Sequence, residues 1–396
     1  MAKRLALSKL VIGTTIVAIV IVGALLYTVY NNMTGNNPSG SKINLNSINV
    51  SIIMGGSTFI NPQMQAWIQK FSSKFPNILV TYQSVGSGAG ANNFISGTYD
   101  VGATDAPMPT ELWQKATALK GSVITIPDIV GSEAIIFNIP GFDPSKNGNL
   151  NLTASILARI YLGQISYWDD PSIKSLNPGF NFPHQKITAV HRSDGSGTTF
   201  VFTVWLYLTS IEWKTSGVGY GYTVNWPVDK LGGLGGKGNE GVTAYVKQTE
   251  FSIGYVEVQY AIANNLETAA IENPSGKFVL PNSNSISLAL LSLDITKFPQ
   301  PTQDWSNITA LLLNSQDPNS YPIVTFSYLV IQKNYSDLNK AAGIYAFLNY
   351  IFTEGQSNGN IVTGYLPLPT NVQNYVLNEI KLISYNSQPV YQLISS

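Results

Sequence analysis

Three short glycine- and serine-rich stretches constrain this chain more than any other feature: "GGSTF" (55–59), "GSGAG" (86–90) and "DGSGTT" (194–199). Each follows a run that reads as a strand and opens a run that reads as a helix. Residues 47–54, "SINVSIIM", alternate as a strand does. Met64, Trp67, Ile68, Phe71 and Phe75 then fall at helical spacing, so 62–75 is expected to form an amphipathic helix. "NILVTYQ" (77–83) is a second strand, "GSGAG" turns into a short helix, and "YDVGATDAP" is a strand ending at Asp105. Strand, loop and helix repeated in this order indicate an α/β fold with parallel pairing.

The third stretch sets two signals against each other. "KITAVHR" (186–192) is a strand, but the "TFVFTVWLYL" that follows the loop is β-branched and aromatic, which favours a strand by propensity alone. A Gly-Ser-Gly-Thr-Thr start suits a helix N-terminus better, so a buried helix is expected. Elsewhere 132–141 reads as a strand, 153–170 as a helix and turn, and "LGGLGGKGNEGVTAYVKQ" as a glycine loop entering a helix near 240. "FSIGYVEVQYA" and 322–333 read as strands, and helices close the chain near 338–353 and 370–384. No internal repeat is visible.

The first N–H groups of a helix have no internal partner, and the helix dipole places partial positive charge there. A bound anion satisfies both. One such loop is usually plain capping; three after successive strands, one led by Arg192, form a stronger pattern. Arg192 can give a bidentate contact to an oxyanion, and Asp194 can orient its guanidinium. Asp105 is the odd member, because a carboxylate repels an anion unless the anion carries a proton for it to accept. Hydrogen phosphate has that proton near neutral pH and sulfate does not, so Asp105 would discriminate by repulsion. The plainer reading of Asp105 is a turn residue before Pro107.

A serine hydrolase is the rival reading, since His191, Asp194 and Ser196 fall together. Triad members normally meet from separate parts of a chain, and no G-x-S-x-G elbow is present. The chain is therefore read as a non-enzyme. Charged residues make up 11%, with 22 basic and 22 acidic, which argues against nucleic acid. With no cysteine and 2 histidines, neither a metal site nor a cofactor is expected. The 7 tryptophans keep a carbohydrate-binding alternative open. Low charge with abundant Asn, Ser, Thr and Gly would suit an acidic exterior, where carboxylates are neutralised.

Lys3, Arg4 and Lys9 precede residues 10–30, which carry no charge. As a helix this segment is about 30 Å long, the thickness of a hydrocarbon core. The positive-inside rule keeps the basic tail (1–9) in the cytoplasm and the rest outside. A retained anchor is favoured over a cleaved signal, which would leave the protein secreted; residues 31–47 read as a flexible linker. Sequons at Asn32, Asn49, Asn151, Asn307 and Asn334 fit export.

From about residue 53 to 384 the chain resembles the extracytoplasmic phosphate-binding proteins of the high-affinity phosphate ABC importers. The resemblance rests on "GGSTFINP", "VGSGAG", "DVGATDAPM", "FNIPG", "IYLGQISYWDDPSIKSLNPG", "VHRSDGSGTTFVFT", "VNWPV", "GGKGNEGV" and "IGYVEVQYA", in family order. It implies a two-lobed periplasmic-binding-protein-like fold of type II, a "Venus flytrap" with the anion between lobes. Lobe 1 would combine 48–132 with 326–396, and lobe 2 would be 133–325. It further implies phosphate ligands at Thr58, Phe59 and Ser87, with Asp105 accepting the phosphate proton. Arg192, Ser196, Gly197 and Thr198 would bind from the second lobe, with Asp194 holding Arg192. A permease and an ATPase would be its partners. Ile60 stands where the family usually has proline, and the second loop lacks one hydroxyl common there. Another oxyanion, such as sulfate, molybdate or a phosphonate, remains the alternative ligand.

Overall fold

The computed structural model describes residues 42–395. The expected cytoplasmic tail and membrane segment, with most of the linker, lie outside the described residues. Among the described residues, no helix is long and apolar enough to cross a membrane.

A nine-stranded sheet is the spine of the unit that begins at Asn44. Its first half is laid down by β1 (Val50–Gly56), α1 (Asn61–Lys74), β2 (Ile78–Ser84), α2 (Ser87–Ser96) and β3 (Val101–Thr104). β1 pairs in parallel with both β2 and β3, as strand–loop–helix repetition requires. Met64, Trp67 and Phe71 point one face of α1 into the core, where Phe71 meets Phe347 edge to face at 4.9 Å. Trp67 Nε1 donates to the Gly355 carbonyl at 2.9 Å, so its single polar atom is satisfied on burial.

After α3 (Thr110–Lys120), β4 (Val123–Asn138) runs 16 residues, all buried but the last. Residues 123–132 pair antiparallel with β8 (Val324–Gln332), which itself lies against β3. From Glu133 onward β4 changes partner and pairs with β7 (Ser252–Glu257). β5 (Thr188–Arg192) joins β7 in parallel, and β6 (Leu234–Gly236) joins β5. The order is therefore β2-β1-β3-β8-β4-β7-β5-β6, with the short strand Glu267–Thr268 also on β4. One strand thus carries the chain from one half of the sheet to the other.

Only 132–141 of β4 is visible to sequence reasoning. Both faces are covered, so polarity does not alternate, and Pro127 and Gly131 read as breakers. The register against β8 skips from Pro127 to Ile129, leaving Asp128 as an extra residue in a bulge. In the second half, Thr153 caps α4 (Ala154–Tyr161), and turns follow it, as the helix-and-turn reading of 153–170 expects. α5 (Gly197–Thr209) is helical despite its β propensity. Ser196 caps it, and every residue from Gly197 to Leu206 is buried. α6 (Gly238–Gln248) begins after β6, a strand the glycine-rich sequence hides. "FSIGYVEVQYA" divides: Glu257 accepts the Gln259 N–H and starts α7 (Val258–Asn264), so its second half is helix. α8 (Leu338–Phe352) and α9 (Thr370–Glu379) close the chain.

Candidate functional site

The three glycine loops meet at the carboxyl ends of β1, β2 and β5, where ligands gather in open α/β sheets. Thr58 is 2% exposed, Ser87 1%, Asp105 1% and Arg192 4%. Asp105 takes hydrogen bonds from both sides of the sheet. Ser87 Oγ donates to its Oδ1 at 3.2 Å, and Thr198 Oγ1 donates to its Oδ2 at 2.9 Å. Ser87 lies in the first turn of α2 and Thr198 in the first turn of α5, so two helix N-termini converge on one carboxylate. Gly197 permits this approach: a Cβ there would lie 2.7 Å from Ser87 Oγ and 2.8 Å from Asp105 Cβ.

Arg192 is held as a fork. Its Nε donates to Asp194 Oδ1 at 2.7 Å and Nη2 to Asp194 Oδ2 at 2.6 Å, leaving Nη1 to reach Thr198 Oγ1 at 3.1 Å. Burial works against the Asp194 charge, yet the guanidinium beside it holds the carboxyl below its ordinary value. Burial pushes Asp105 the other way and wins there, although Ser57, Arg192, Thr198 and Ser87 all favour its charged form. Arg192 and Asp194 pair their charges, and Asp105 is the remaining buried acid of the centre.

The remaining sequence-derived positions fall around this centre. Phe59 is fully buried, its ring edge on to Tyr365 at 6.3 Å, and its carbonyl accepts the Tyr365 hydroxyl. Ser196 Oγ accepts the Thr199 N–H at 3.0 Å and keeps its own hydrogen to donate. Gly197 and Thr198 supply N–H groups in the first turn of α5, where the helix offers no acceptor. His191 is set apart from Ser196: its Nδ1 is 3.0 Å from the Arg192 carbonyl, its Nε2 is 2.6 Å from Asp229 Oδ1, and its ring stacks on Trp226. Among the described residues, no group of three or more His, Cys, Asp or Glu is placed to hold a metal ion.

Three supporting residues escape sequence reasoning. The Tyr255 hydroxyl accepts the Arg192 N–H at 3.2 Å and meets Thr199 Oγ1 at 2.7 Å, from a cluster with Tyr161, Phe202 and Trp226. Tyr260 donates to the Thr58 carbonyl at 2.6 Å. Asn239, in the first turn of α6, reaches Thr58 from the other half of the sheet. Asn239 and Tyr260 lie within "GGKGNEGV" and "IGYVEVQYA", motifs whose order is visible but whose contacts are not. The centre as a whole offers many N–H and O–H donors and one buried acceptor, a set suited to an oxyanion bearing one hydrogen.

Residues 36–354 match the model of a PBP superfamily domain. The phosphate-binding protein PstS of Methanocaldococcus jannaschii is 40% identical over 83% of this chain and 85% of its own length. That of Xylella fastidiosa is 36% identical over 84% of this chain and 86% of its own. The chain belongs to the PstS phosphate-binding protein family. A solved structure of a high affinity periplasmic phosphate-binding protein, bound with phosphate, is similar in fold to this PstS family member. It has a TM-score of 0.68 at 20% identity, covering 88% of this chain and 99% of that one.

Proposed function

We propose that this chain is an extracytoplasmic receptor that binds inorganic phosphate and passes it to an ABC importer. The observation that carries the reading is Asp105: one buried carboxylate set among the hydroxyls of Ser87 and Thr198 and the Arg192 fork. Asp105 would accept the hydrogen of hydrogen phosphate. Thr58, Phe59 and Ser87 would bind from lobe 1, and Arg192, Ser196, Gly197 and Thr198 from lobe 2, with Asp194 holding Arg192 in place. Lobe 1 would comprise 48–132 and 326–396, and lobe 2 residues 133–325, hinged on the strands that join them. Relatives named as phosphate-binding proteins support this assignment. A permease and ATPase would read the closed form, and residues 10–30 would tether the protein to the outer face of the membrane.

A receptor for sulfate, molybdate or a phosphonate is the second reading. Asp105 speaks against a fully deprotonated anion, whose charge it would repel without a hydrogen bond in return. A serine hydrolase would need Ser196 beside a base. Ser196 instead caps its own helix, while His191 is engaged by Asp229. Calorimetric titration of the purified protein with phosphate and with sulfate tests the proposal. Tight phosphate binding with little sulfate binding is expected; equal affinities, or no phosphate binding, would overturn it.

A further inference from the structure

We infer that Asn239 fixes the direction of the Thr58 hydroxyl, making it an obligate hydrogen-bond donor to the bound anion. The inference rests on the phosphate reading above and assigns a positioning residue that acts through Thr58.

Asn239 is fully buried in the first turn of α6. Its Oδ1 accepts the Glu257 N–H at 3.0 Å, which decides the orientation of the amide. Nδ2 therefore faces the loops, and it donates to Thr58 Oγ1 at 2.9 Å. The backbone N–H of Asn239 donates to the same oxygen at 3.1 Å. A hydroxyl offers one hydrogen and two lone pairs. Asn239 fills both lone pairs of Thr58, so the hydrogen has to point away from Asn239, into the space between the three loops.

Thr198 is set in the same way. Its Oγ1 receives Arg192 Nη1 at 3.1 Å and Asn239 Nδ2 at 3.4 Å, and donates to Asp105 at 2.9 Å. Arg192 and Asp105 fix the polarity of Thr198, and Asn239 adds a longer bond to it, whereas at Thr58 both donors come from Asn239. The consequence is selectivity. A free hydroxyl turns to accept from a protonated ligand oxygen as readily as it donates to a bare one. With Thr58 and Thr198 fixed as donors, Asp105 is left as the acceptor, and the site reads a single ligand hydrogen. Thr58 follows β1 and Asn239 follows β6, in opposite halves of the sheet order. The hydroxyl is therefore oriented only when the two halves are together.

A double-mutant cycle on the full chain tests this, with phosphate as the titrant and thermal melting as the check on folding. Thr58→Val and Asn239→Ala are each expected to weaken phosphate binding by about tenfold or more, the worth of a hydrogen bond to a charged group. The double variant is expected to bind no more weakly than Thr58→Val alone, because Thr198 keeps its bonds to Arg192 and Asp105 and Asn239 has no Thr58 hydroxyl left to orient. Should Asn239→Ala not fold, Asn239→Leu fills a similar volume without a donor and completes the same cycle. Losses that multiply in the double variant would show Asn239 acting independently of Thr58 and overturn the inference. So would an unchanged affinity in the single Asn239 variant while the wild type binds phosphate. A wild type that binds no phosphate removes the receptor reading, and the inference falls with it.

Discussion

At the scale of a single residue, Asp105 carries the proposed selectivity. Its carboxyl is buried, and four neighbouring groups partly restore the charge that burial disfavours. Asp105→Asn keeps the shape but replaces an obligate acceptor by a group that can also donate. Sulfate binding is expected to rise toward that of phosphate, while phosphate affinity falls by about ten- to a hundredfold. Competition titration of the two anions reads both changes, and undiminished preference for phosphate would remove Asp105 from its role. Arg192 and Asp194 are legible in the sequence as charges placed against a glycine loop, and Asp105 as a carboxylate at a strand end among loops that favour anions. Asn239 is not. It is neutral, it sits between Lys237 and Glu240, and its partner Thr58 lies 181 residues away. Phe59 is proposed only through family resemblance, since its ring belongs to the core and nothing in its side chain suggests an anion ligand.

Loops and strands fail differently when disturbed. Gly88, in the first turn of α2, donates its N–H to the Gly195 carbonyl at 2.9 Å, joining the second loop to the third. A Cβ on Gly88 would lie 3.1 Å from the Gly195 Cα and 3.2 Å from its carbonyl oxygen. The position is helical, so Gly88→Ala imposes no backbone strain and acts on that contact alone. Phosphate affinity is expected to drop by roughly tenfold, the cost of modest overpacking, with the melting temperature nearly unchanged. Equal losses in stability and affinity would mean that Gly88 serves the fold of α2 instead. The helices were legible where a cap and an apolar face coincide, as in α1 and α5. The strands were less so. β4 reads as a short strand because burial on both faces erases its alternation, and a proline at its bulge mimics an end. The turn from β7 to α7 was hidden for the opposite reason. "YVEVQY" alternates like a strand, yet the Glu257 side chain caps a helix in its middle.

At the scale of the whole molecule, the strands that join the two halves of the sheet carry buried acids that form no salt bridge among the described residues. Asp128 sits in the bulge of β4. Glu133 stands at its change of partner, directly opposite Glu257 of β7; all three are fully buried. Asp128 is faced by Ser327 of β8, Asp105, Tyr82 and Tyr328. Glu133 is faced by Asp105, Arg192, Tyr255 and Tyr321. Glu257 is faced by Tyr365, Tyr260 and Asp105. Burial raises all three carboxyls, Asp128 to about 8. The sign of the linkage follows. Between about pH 4, where an unfolded aspartate titrates, and pH 8, the folded chain keeps a proton on Asp128 that the unfolded chain has released. Stability from this group is full below that window and is lost as pH rises through it. This accords with a composition low in charge that suits an acidic exterior. Asp128→Asn is a neutral mimic of the protonated acid and removes the linkage at that site. The stability of the variant relative to wild type is expected to climb with pH, by at most about 1.4 kcal/mol per unit across the window. Denaturant unfolding of both proteins at pH 5 and pH 8 measures it. A stability difference that is the same at both pH values would mean that Asp128 stays charged in the fold and that the joining strands hold no proton there.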